Sequence, residues 1–86
     1  MNTMLQMRPG CECCNRDLPA DAAGAMVCSF ECTFCTDCAT HVLAGVCPNC
    51  GGEMLPRPRR VGAALTRNPA STARVVKAQG CTAAAP

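Results

Sequence analysis

Eight cysteines fall into four close pairs within forty residues, and no other feature of this sequence limits its fold as tightly. The pairs are Cys11-x2-Cys14, Cys28-x3-Cys32, Cys35-x2-Cys38 and Cys47-x2-Cys50. Thiolates three residues apart can reach one ion from a tight turn, and a tetrahedral ion takes four ligands. Four pairs therefore match the needs of two closed metal sites. A site with four thiolates and no open position is structural, because catalysis at a metal needs a place for water or substrate.

The rest of the composition makes such a scaffold necessary. The chain has 86 residues, no Trp or Tyr, and only Phe30 and Phe34 as aromatics. Its hydrophobic fraction of 49% is swollen by ten cysteines and many alanines, which bury little area each. A chain this short cannot stabilise itself by burial alone. Disulfides would need an oxidising compartment, and the opening MNTMLQMRPGCE has neither the apolar run nor the basic start of a secretory signal. No stretch is long enough to span a membrane. The expectation is a cytoplasmic protein that ligates metal, with two Zn2+ per chain as its cofactors.

Charge is divided unevenly. Residues 1–55 hold Arg8 and Arg16 against all six acids, whereas residues 56–86 hold Arg57, Arg59, Arg60, Arg67, Arg74 and Lys77 with no acid. The formal charge of +2 counts every cysteine as a neutral thiol. Eight thiolates around two divalent ions would make the head strongly acidic and the whole chain a net anion.

Taken in order, the chain begins with an extended lead-in, Met1 to Pro9. The first knuckle, Cys11 to Cys14, is followed by Asn15, one of the few non-glycine residues that tolerate positive φ. Residues 17–26 read as a polar connector. Val27–Phe30 and Thr33–Cys35 read as two short strands of a hairpin whose turn carries a ligand. Thr36 or Asp37 can cap a helix of about two turns, with Ala39, Val42 and Leu43 on its apolar face and Gly45 at its end. Gly51 supplies the permissive backbone after the last knuckle. The domain division is residues 1–57, the metal-binding domain, and residues 58–86, a basic Ala/Arg/Pro-rich tail expected to be mostly disordered, with a short amphipathic turn near Ala73–Lys77. Phe30 and Phe34 are assigned to a small core, and Val42, Leu43 and Val46 are expected inside.

The full spacing resembles the RING-type cross-brace, a treble-clef-like zinc fold. Cys32-Thr-Phe-Cys35 stands where such domains place a ligand-x-Phe-Cys step, and Cys47-Pro-Asn-Cys50 where they place Cys-Pro-x-Cys. The resemblance implies interleaved sites, one held by Cys11, Cys14, Cys35 and Cys38 and the other by Cys28, Cys32, Cys47 and Cys50. RPGCECC, CSFECTFCTDCA and CPNCGGE are also similar to a family of short bacterial cysteine-rich proteins of unknown function, over about residues 4–60. The implied fold class is a small metal-stabilised α+β domain with a short hairpin and one short helix, followed by the tail. Ubiquitin-ligase domains of RING type carry an apolar residue inside the first knuckle, an aromatic before the last and often a basic residue after it. Here Glu12, Val46 and Gly51 hold those places, which argues against that activity.

Among the remaining candidates, Cys13 reads as a spare thiol or substitute ligand, Cys81 as an incidental thiol of the tail, and His41 as a surface histidine rather than a ligand. The leading functional expectation is a non-enzymatic zinc module that binds a protein partner, since no nucleophile–base or paired-carboxylate constellation is present. No membrane or small-molecule partner is indicated. One alternative is an iron–sulfur or redox protein, because Cys32-x2-Cys35-x2-Cys38 contains the three-cysteine run of ferredoxins. The other is nucleic-acid binding through the basic tail, against which stand the acidic head and the lack of interleaved aromatics.

Overall fold

A computed structural model describes residues 5–77. Its centre is a three-stranded antiparallel sheet of order β2-β1-β3, formed by β1 (Ala25–Val27), β2 (Thr33–Cys35) and β3 (Leu55–Pro56). Ala25 pairs with Cys35 and Val27 with Thr33 across the hairpin, and Val27 pairs with Leu55 on the other side. The hairpin turn is tight: the Glu31 amide donates to Cys28 O, and Glu31 takes positive φ at 64°. A non-glycine residue in that region is strained by about 1 kcal/mol. The turn is tied down by its own side chain, because the Glu31 carboxylate accepts the Gln6 and Met7 amides at 2.7 and 2.8 Å.

The helix expected after Thr36 forms as a shorter, wider turn, Cys38–Val42, closed by an i→i+5 bond from the Leu43 amide to Cys38 O at 2.9 Å. Its start carries no side-chain cap. Gly45 ends it with φ 80°. Only part of the expected apolar face turns inward: Ala39 and Leu43 are buried, whereas Val42 is exposed, and Val46, also expected inside, is exposed as well. The wider winding shifts successive side chains away from the 3.6-residue stripe that the expectation assumed.

Phe34 is fully buried, at 0% exposure, among Leu18, Ala25, Leu43, Met54 and the cysteines. Phe30 does not join it. At 73% exposure it stands out from the hairpin turn, a correction to the two-phenylalanine core. The missing volume comes instead from Met7 and Met54, both buried.

The chain beyond residue 57 is held to the head over its described length. Arg57 is buried, and its guanidinium donates to the carbonyls of Arg8, Leu18 and Pro19. Arg60 donates to Leu5 O and Asn68 O, at either side of the short helix α1 (Gly62–Arg67). Arg74 reaches Asn15 and Asp17, and the Lys77 amide donates to Glu12 O. Residues 69–77 contain no helix, so the turn expected near Ala73–Lys77 does not form. Apolar periodicity is faint here because the docking uses arginine donors and backbone carbonyls. Part of the expected tail, residues 78–86, lies outside the described residues.

Candidate metal centre

The two knuckles are one structural unit used twice. In the first, the Cys11 amide donates to Arg16 O and the Asn15 amide to Cys11 O; in the second, the Cys47 amide donates to Gly52 O and the Gly51 amide to Cys47 O. Isolated bridges Gly10–Asp17 and Val46–Glu53 close each loop at the same offset. Asn15 and Gly51 occupy the matching left-handed positions, with φ 63° and 76°. Both were readable from the sequence, since these residue types accept that backbone.

Each pair's first sulfur receives a backbone amide. Cys13 N donates to Cys11 Sγ at 3.3 Å, Phe30 N to Cys28 Sγ at 3.3 Å, Cys38 N to Cys35 Sγ at 3.4 Å and Asn49 N to Cys47 Sγ at 3.4 Å. Such donors favour thiolate over thiol. At Cys11, burial acts to raise the thiol, but the amides of Cys14, Cys35 and Cys13 outweigh it and bring the group down to about 7. Burial dominates at Cys38, which is pushed up, and at Cys47, which is pushed up to about 12.

The fold gathers these sulfurs into two groups. Cys11, Cys14, Cys35 and Cys38 place all four Sγ atoms within 4.8 Å of one another, joining the first knuckle to the end of β2 and the start of the helical turn. Within this group Cys14 Sγ and Cys35 Sγ are 3.8 Å apart. Four sulfurs at about 2.3 Å from a central ion stand about 3.8 Å apart along each tetrahedral edge. The spacing fits one ion. Cys28, Cys47 and Cys50 form the second group by the same measure. Cys32 does not complete that close cluster, although its thiol interacts with those of Cys28 and Cys47. It sits beside the group rather than within 4.8 Å of every member. All eight of these cysteines are free thiols.

The other candidates separate cleanly. His41 is exposed and belongs to neither group. Cys13 is disulfide-bonded and is also outside both, so it is neither a spare thiol nor a substitute ligand. Cys81 lies outside the described residues.

Sequence reasoning missed the polar side chains that brace the groups. Glu12, between Cys11 and Cys14, is only 3% exposed. Its Oε2 accepts the Thr33 amide at 2.7 Å and Arg8 Nη1 at 2.9 Å, and its Oε1 accepts Asn49 Nδ2 at 3.3 Å. A glutamate in a polar loop normally reads as solvated. Nothing in the local sequence marks Glu12 for burial, since its partners Thr33 and Asn49 lie 21 and 37 residues away. Its burial also means that residue 12 presents no side chain to a partner at the outer face of the knuckle.

Fold and site together define a small, cysteine-clustered α+β protein with two thiol groups that can each hold a metal ion. By sequence the chain belongs to the family described as protein of unknown function (DUF1272), which it matches over residues 4–60. It is similar to the uncharacterized protein R02474 of Rhizobium meliloti (strain 1021), with 62% identity over 78 residues, covering 91% of this chain and 93% of that protein. That alignment is longer than the family match, so the likeness continues into the arginine-bearing segment beyond residue 60. No solved structure matches. Among the described residues, no helix is long and apolar enough to cross a membrane.

Proposed function

We propose that this chain is a structural zinc module, holding two Zn2+ in a cross-braced arrangement and serving as a protein-interaction or adaptor domain, without catalytic activity. The observation that carries the reading is the first cysteine group, whose four sulfurs all lie within 4.8 Å of one another, with Cys14 and Cys35 at the 3.8 Å edge of a tetrahedral site. Cys28, Cys47 and Cys50 would hold the second ion, with Cys32 turning in as the fourth ligand. Bound zinc would supply folding free energy, on the order of 10 kcal/mol per site at neutral pH. Such a contribution suits a chain whose sheet has strands of only two or three residues.

An iron–sulfur cluster fits less well. Its thiolates would have to stand around a cage of iron and sulfide, wider apart than the 3.8 Å between Cys14 and Cys35. Nucleic-acid binding also loses support, because Arg57, Arg60 and Arg74 spend their guanidinium donors on protein oxygens. A protein partner has more to hold: exposed Phe30 follows Ser29, which lines a groove of about 500 Å³ together with Val27, Leu55 and Pro58.

The test is chelation. Removing metal from the purified protein should abolish its far-ultraviolet dichroism pattern and expose the chain to protease, and readdition of Zn2+ should restore both. Unchanged dichroism and protease resistance after complete metal removal would refute the structural role.

A further inference from the structure

We infer that Glu12 and Asn49 form a positioning link that makes the two cysteine groups load metal as a coupled pair; the inference rests on the two-metal reading above. Glu12 sits inside the first knuckle and Asn49 inside the second, each between two cysteines of its own group. The Glu12 carboxylate spans the gap, accepting Asn49 Nδ2 on one oxygen and the Thr33 amide on the other. Thr33 follows Cys32 and precedes Cys35 by two residues, so one buried side chain touches segments carrying ligands of both groups. The Glu12 amide also donates to Thr33 O at 2.9 Å, which fixes the knuckle against β2 from both directions.

The consequence is directional. Fixing Cys11 and Cys14 around an ion immobilises the residue between them and presents its carboxylate to the second knuckle. Asn49, held there, orients the turn between Cys47 and Cys50 and also faces the Cys32 thiol, the sulfur that stands apart from the second group. Glu12 is buried, with Arg8 and Thr33 holding the oxygen opposite Asn49, so its aim is not lost to solvent. Asn49 is exposed and can be changed without removing core volume. Residues that orient metal ligands through hydrogen bonds are commonly worth 10–100-fold in metal affinity. Here the link joins two sites, so the effect belongs to their coupling.

A double-mutant cycle on the full chain isolates that coupling. Co2+ is titrated against a competing chelator and followed by its d–d absorption in four proteins: wild type, Cys14→Ala, Asn49→Ala and the double variant. Cys14→Ala removes a sulfur from the first group only and leaves every cysteine of the second group in place. In the Asn49 background its loss should weaken the second group about 10-fold, within the usual range of site-to-site coupling. In the Asn49→Ala background the same loss should leave the second group's affinity unchanged. Equal weakening in both backgrounds would overturn the link while keeping the two-metal reading. No weakening in either would overturn it equally. Failure of the wild type to bind Co2+ would instead refute the metal reading itself.

Discussion

Asn49 Nδ2 donates to Glu12 Oε1 at 3.3 Å, a contact between residues 37 apart that joins the interiors of the two CxxC knuckles. Through it, the two halves of a domain with a small core share one buried carboxylate. Stability in such a chain rests on a few specific side chains, and the following expectations separate those from their neighbours.

The two phenylalanines differ sharply in consequence. Phe34 is fully buried, so Phe34→Ala should cost about 3–5 kcal/mol in the metal-loaded protein. Phe30 is 73% exposed, and Phe30→Ala should stay within about 0.5 kcal/mol. Urea unfolding midpoints compare them directly, and equal losses would contradict the placement of Phe30 outside the core.

Arg57 is predicted to matter more than its neighbour Arg59. Its guanidinium is buried and satisfies carbonyls of Arg8 and Leu18 at 2.9 Å each. Arg57→Ala leaves those oxygens unpaired and should cost about 2 kcal/mol. Arg57→Lys should recover only part of the loss, because an ammonium lacks the planar fork. Arg59→Ala, at an exposed position, should be near neutral in the same melts.

The strap beyond α1 can be released without disturbing the core. A Cβ at Gly10 would stand 2.6 Å from Arg74 Nη2, the far end of a flexible side chain. Gly10→Ala should therefore displace Arg74 from Asn15 and Asp17 rather than distort the first knuckle. The pair with Asp17 is largely solvent-exposed and worth little, so the melting midpoint should barely move. Limited proteolysis should accelerate near residue 74; unchanged cleavage there would show that the strap does not depend on this contact.

The architecture was largely legible in the sequence, for a physical reason. CxxC spacing, Asn15 and Gly51 are local features whose geometry is set within five residues, and they reappear in the structure as two equivalent turns. The hairpin around Glu31 was readable for the same reason, although its first strand runs Ala25–Val27 rather than Val27–Phe30, which leaves residues 28–32 as the turn. Glu12, Arg57 and Arg74 were not, because their partners are carbonyls, amides or carboxylates distant in sequence. No periodicity marks a charged side chain that folds inward. Phe30 and Val42 were misplaced because apolar character was taken as burial, in a domain too small to cover every apolar group.

Acid should strip the metal. Ligation requires thiolates, and burial pushes up the thiols of Cys38 and Cys47, the latter to about 12. In the metal-free, unfolded chain ordinary cysteine thiols also hold most of their protons at pH 7, and loading displaces them. Affinity must then fall as pH falls, since added protons favour the unloaded thiols. Calorimetric titration with Zn2+ in two buffers of different ionisation enthalpy should give different heats at the same pH. Identical heats would mean that no protons are released.

The most direct measurement is metal content per chain, by elemental mass spectrometry with an absorption spectrum, on protein purified without oxygen. The account predicts two zinc ions per chain and no visible absorption. Iron with a charge-transfer band would contradict it, as would a folded protein carrying no metal.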